Sequence, residues 1–139
     1  PASLLCLIRI EASCARPLGT QRADLTRTLV MCGKGKFSIQ EDAQTTLRKI
    51  EKNLRNDNAV LLCFLFDKPL TENGERPGHY VLITAMSLSG TTFDVANYHT
   101  FAGNRLKKVS RRRLRHDLRR RRRVDTWYPI AWYLTAETK

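Results

Sequence analysis

Residues 80–95 read YVLITAM-SLSG-TTFDV, and the reading of the fold starts there. Two apolar and β-branched stretches, Tyr80–Met86 and Thr91–Val95, flank a four-residue turn, Ser87-Leu88-Ser89-Gly90. That arrangement predicts an antiparallel hairpin. Upstream, Ala59–Phe66 (AVLLCFLF) is the longest continuous apolar run, at eight residues. It has the length of a strand and is far short of the ~18 residues that mark a membrane-spanning helix. Downstream, Trp127–Leu134 (WYPIAWYL) predicts a last strand, and Pro129 within it predicts an edge position or a bulge. Asp67–Pro77 and Asn97–Lys108 read as loops.

The chain before residue 58 has a different character. Ala2–Glu11 (ASLLCLIRIE) is apolar at positions 4, 5, 7, 8 and 10, which fits a buried helix and, over so short a run, an internal strand as well. Cys14–Thr20, with Pro17 and Gly19, reads as a loop. Thr20 is placed to cap a helix through Cys32, with Leu25, Leu29 and Val30 on its inner face and Gly33 at its end. Ser38 and Glu41 have the spacing of a capping box. Ala43, Leu47, Ile50 and Leu54 follow at intervals of four, three and four, an amphipathic helix. Near the other end, Ser110 is placed to cap a helix bearing Leu114 and Leu118. The order predicts an α+β fold: N-terminal helices, the first central and buried, packed on a mostly antiparallel sheet. The expected helical part covers about 1–57 and the sheet part about 58–139, within a single domain over all 139 residues.

Hydrophobic residues at 42% and charged residues at 27% exclude a wholly disordered or collagen-like chain. The first residues lack the basic, apolar, small order of a secretory signal. Cysteines stand at 6, 14, 32 and 63, with no C-x-x-C spacing and no clustering with His79, His99 or His116. No metal site, disulfide framework or cofactor is therefore expected, and a reducing, cytoplasmic compartment is.

The charge is uneven. Lys and Arg number 25 against 13 Asp and Glu, a net of +12. Arg105–Arg123 alone holds 12 basic residues against one acid, so the rest of the chain is close to neutral. Nine arginines crowd a predicted basic helix at about 110–123: Arg111, Arg112, Arg113, Arg115, Arg119, Arg120, Arg121, Arg122 and Arg123. A solvated face needs fewer, and like charges four apart on a helix repel. The segment is expected to meet an acidic partner, either RNA or an acidic protein surface. No aromatic residue lies between Gly103 and Asp125, which favours contact with a phosphate backbone or an acidic protein patch over stacking on bases.

Gly78-His79-Tyr80-Val81 sets an imidazole at the start of a buried strand, and Asp94 follows fifteen residues later. The hairpin is expected to bring the two to one end of the sheet, within hydrogen-bonding reach. There a carboxylate would fix the imidazole tautomer and stabilise its protonated form. A thiol at a helix N-terminus would complete a nucleophilic site.

Three segments carry a resemblance: GHYVL at 78–82, TFDVA at 92–96 and VSRRRL at 109–114. Together they resemble the second half of a papain-like cysteine peptidase, nearest to the C39-like peptidases and the phytochelatin-synthase-like branch. The resemblance implies a papain-like fold. In those families the nucleophilic cysteine opens the buried helix within a motif such as Cys-Gly-Pro-Ala-Ser-Leu. This chain begins Pro1-Ala2-Ser3-Leu4, which places that cysteine two positions before Pro1. The implied activity is that of a thiol protease or related acyl-transfer or amide-hydrolysing enzyme on a peptide or amide substrate, with a Cys-His-Asp triad using His79 and Asp94. The alternative is a catalytically inactive papain-like module that binds RNA, a ribonucleoprotein assembly or an acidic protein through its Arg-rich segment.

Overall fold

Six strands dominate the computed structural model, which describes residues 26–27, 29–31, 36–65, 78–96, 106–119 and 129–136. They are β1 (Phe37–Asp42), β2 (Ala59–Leu65), β3 (Gly78–Met86), β4 (Thr92–Ala96), β5 (Leu106–Ser110) and β6 (Ile130–Ala136). Two short helices accompany them, α1 (Leu47–Arg55) and α2 (Arg111–Leu118), and Thr26, Arg27 and Leu29–Met31 are also helical. The strands form one sheet in the order β1-β6-β2-β3-β4-β5, with every neighbouring pair antiparallel.

This corrects the expected α+β, papain-like architecture with its N-terminal helical half. The described chain is mostly antiparallel sheet, and the strands begin at Phe37, within the stretch expected to be helical. Ser38 and Glu41 do not form a capping box. They lie in β1, opposite Thr135 and Trp132, because Phe37 and Ile39 alternate onto a buried face and period two wins over helical spacing there. The helix expected from Ala43 onwards starts later, at Leu47, where the Thr46 hydroxyl accepts from the Lys49 amide at 3.3 Å. β6 is also not an edge strand. It lies between β1 and β2, and Pro129 sits just before it, where a missing N–H costs no ladder bond. The Pro129 carbonyl instead accepts from the Thr45 amide at 3.0 Å. The expected first helix at 2–11, the loops at 14–20 and 67–77 and the cap at Thr20 lie outside the described residues.

Both faces of the sheet are covered, which explains the unbroken apolar run in β2. Val60 and Leu62 point to one face with Val81, Ile83, Phe93, Val95, Ala131 and Tyr133. Ile50 and Leu54 of α1 and Leu114 of α2 close that face. Ala59, Leu61 and Cys63 point to the other, with Leu82, Ala96, Trp132 and Leu134. Leu29 covers it and is fully buried, whereas Val30, expected inward, is 58% exposed. A strand buried on both sides must be apolar at consecutive positions, since its side chains alternate.

The hairpin between β3 and β4 forms as its sequence predicts. The Ser87 hydroxyl accepts from the Thr91 and Thr92 amides at 3.1 Å each, and Gly90 takes a φ of +71°, which a side chain would disfavour. No helix among the described residues is long and apolar enough to cross a membrane.

Candidate polyanion interface

α2 follows β5 without a gap. The Ser110 hydroxyl caps it, accepting from the Arg113 amide at 3.1 Å. Leu114 is fully buried and Leu118 half-buried against the core beneath, so one stripe of the helix is fixed on the sheet.

Two buried carboxylates then sort the arginines. Glu51 of α1 forms an ion pair with Arg111. Asp117, only 1% exposed, accepts from Arg113 Nε at 3.4 Å, an i,i+4 pair within α2, and lies 3.6 Å from His116 Nδ1. Arg111 and Arg113 therefore serve the helix and its seat on α1. Arg112, Arg115 and Arg119 are exposed and, with His116, line one cavity of about 330 Å³. Positions 112, 115, 116 and 119 are successive neighbours on one face of a helix. Of the nine arginines expected to bind a partner, three thus face a common concavity and two are engaged by carboxylates. Arg120, Arg121, Arg122 and Arg123 lie outside the described residues.

Charge placement works against the helix at its start, whereas Arg115 and His116 in the last turn suit the dipole. Arg111, Arg112 and Arg113 fill the first turn, which holds no acid, and the backbone dipole there favours negative charge. Each mismatched charge costs roughly 0.3–1 kcal/mol, and each stacked like pair a few tenths more. An anion beside Arg112 would offset the first-turn mismatch, and counter-charge along the 112–115–119 stripe would offset the repulsion.

His79 and Asp94 are not brought together. β3 and β4 pair Met86 with Phe93 and Ala85 with Asp94, so the carboxylate sits beside the hairpin turn. His79 is six residues further along β3, opposite Phe64 of β2. At about 3.3 Å per residue that separates the two backbones by roughly 20 Å. Asp94 turns the other way, to Lys108 of β5, its register partner, at 3.4 Å. The expected His–Asp pair is corrected accordingly: the hairpin centres three residues too late in the chain to align them.

Two features escaped the sequence reading. His116 stands in the arginine-lined cavity, although alone it looks like any solvated histidine. A polar cluster of Asp42, Thr45, Lys49 and Tyr133 lies under α1. Its signal was Tyr133 itself: it shares the parity of Ala131, an inward position, and a buried tyrosine needs a partner for its hydroxyl. No group of three or more His, Cys, Asp or Glu placed to hold a metal ion occurs among the described residues.

The chain matches no model of a known protein family and no curated protein.

Proposed function

We propose that the exposed face of α2 docks the phosphodiester backbone of RNA. The observation that supports this reading is the division of one arginine run into two sets. Arg111 and Arg113 are held by Glu51 and Asp117, and Arg112, Arg115 and Arg119 converge with His116 on a single concave surface. Guanidinium groups offer paired N–H donors that match phosphate oxygens. Contacts of this kind hold the backbone and carry little base information, in keeping with the absence of aromatic residues along the segment.

The other reading, amide hydrolysis through His79 and a cysteine before Pro1, would need an orienting group other than Asp94.

The test is fluorescence anisotropy with a single-stranded RNA of mixed sequence. Binding that is insensitive to base composition, and that a polyglutamate competitor displaces only at large excess, supports a phosphate ligand. Displacement by polyglutamate at equal charge concentration assigns the face to an acidic protein and overturns the proposal.

A further inference from the structure

Towards the β1 edge of the sheet, β1, β6 and α1 enclose a second cavity, of about 480 Å³. Its floor is a chain of polar groups. The Tyr133 hydroxyl, on a residue only 5% exposed, donates to Asp42 Oδ2 at 2.6 Å. Its one proton is thereby used, so the Thr45 hydroxyl is the donor in the 2.6 Å contact between Thr45 and Tyr133. Asp42 also accepts from the Gln44 amide at 3.1 Å and pairs with Lys49 at 3.3 Å. A carboxylate has about four acceptor sites, and these partners fill three.

The rim is built of carboxamides. The turn from α1 into β2 takes Asp57 through a φ of +60°, and Asn56 and Asn58 on either side of it line the cavity. The Asn58 side-chain NH₂ donates to Asn53 Oδ1 at 2.9 Å, and Asn58 Oδ1 has no partner among the described residues. Gln40, Lys52 and Asn56 have no side-chain partner among the described residues.

The chemistry of this lining selects a ligand class. A volume of this size lies in the ligand-binding range of about 300–1,000 Å³. Asp42 pairs with Lys49, and the Glu41 carboxylate turns to the opposite face of the sheet, where it accepts from Thr26, so Lys52 at the rim is the one uncompensated charge in the described lining, too little by itself to hold a phosphate. Tyr133 is the one aromatic residue in the described lining and its ring is buried, so there is no platform for a base. Carboxamides present a donor and an acceptor side by side, which matches vicinal hydroxyls, each itself both donor and acceptor. Phenylalanine at 133 and valine at 45 would fill the same space with no polar group to satisfy. Asp42 and Tyr133 are the members of the network that line the cavity.

We propose that this cavity binds a neutral polyhydroxylated ligand, one saccharide unit, held by the Gln40, Asn56 and Asn58 carboxamides and Lys52 over the Asp42–Tyr133 floor. The site is separate from the α2 face and stands or falls without it.

Side-chain amide resonances make the test direct. The full chain is titrated with D-glucose, D-galactose, N-acetyl-D-glucosamine and maltose while the Gln and Asn NH₂ signals are followed by ¹H–¹⁵N NMR. The expected result is saturable shifts at Gln40, Asn53, Asn56 and Asn58 with at least one of these sugars. Gln40→Ala/Lys52→Ala, both at the rim, should weaken the affinity at least tenfold while keeping the wild-type Tm. Saturation by a monosaccharide assigns a free sugar, and saturation by maltose alone assigns the end of a glycan. No saturable shift well above ~1 mM sugar, or equal shifts in the double variant, overturns the proposal.

Discussion

Replacing Tyr133 by Phe tests the buried polar network most sharply. The ring stays and only the hydroxyl leaves, so packing against Ile50, Val60 and Ala131 is kept. Two contacts of 2.6 Å are lost. One is a bond to an ionised carboxylate, worth about 1.5–3 kcal/mol. The other strands the Thr45 hydroxyl, 4% exposed, at a further cost of about 1–3 kcal/mol. Partial relaxation makes ~2–4 kcal/mol the expected loss at neutral pH. The cost should also depend on pH. Burial pulls Asp42 upward, but the Tyr133 hydroxyl, the Gln44 amide and Lys49 outweigh it and hold its carboxyl below the usual carboxylate range. A group with a depressed folded pKa stabilises above its unfolded value, about 3.9, and that stability is lost as pH falls through the folded value. Tyr133 is pushed upward by burial and by its bond to Asp42. Its contribution is complete below about pH 10 and is lost as pH rises beyond that. Urea denaturation from pH 3 to 10.5 should show the gap between wild type and Tyr133→Phe widest near neutrality and narrower at both ends. Thr45→Val added to Tyr133→Phe should recover part of the loss, since no donor is then stranded. A loss under about 0.5 kcal/mol, or a gap constant across pH, would refute the network as described.

Ser110→Ala removes the cap of α2 and should cost about 1 kcal/mol by denaturant titration. The same change should weaken RNA binding, because the cap fixes the stripe that carries Arg112, Arg115 and Arg119. Gly90→Ala forces a side chain into a left-handed conformation and should cost about 1–2 kcal/mol, although its Cβ would meet only Met86 Sδ at 3.9 Å. Asp94→Asn breaks, among the described residues, only a surface pair with Lys108, so calorimetry should find stability changed by less than about 1 kcal/mol.

The parts of the fold legible in the sequence were those set by neighbours in the chain. Tyr80–Met86 and Thr91–Val95 alternate around a Ser/Gly turn, and the hairpin formed there. Ser110, Leu114 and Leu118 announced α2, cap and inner stripe together. What was hidden depended on distant partners. Phe37–Asp42 became a strand because β6 lies beside it, and nothing near residue 38 reports that. The place of β6 between β1 and β2 is likewise a matter of long-range pairing, against which one proline was weak evidence. The His79–Asp94 pairing failed although the turn formed where expected: a turn at 87–90 sets Asp94 opposite residues 83–85, and His79 lies four to six residues further along β3. In the candidate interface, the concentration of arginine was plain. The separation of Arg111 from Arg112 was not, because Glu51, on another helix, decides it.

The most direct measurement of the central claim is the salt dependence of RNA affinity in wild type and in Arg112→Gln/Arg115→Gln/Arg119→Gln. Each phosphate neutralised on a single strand contributes about 0.7 to the slope of log Kobs against log salt. Loss of three contacts should make the slope shallower by about 2, with Tm kept or slightly raised as the like-charge repulsion along the helix is relieved. An unchanged slope would show that the arginines facing the α2 cavity do not touch the nucleic acid.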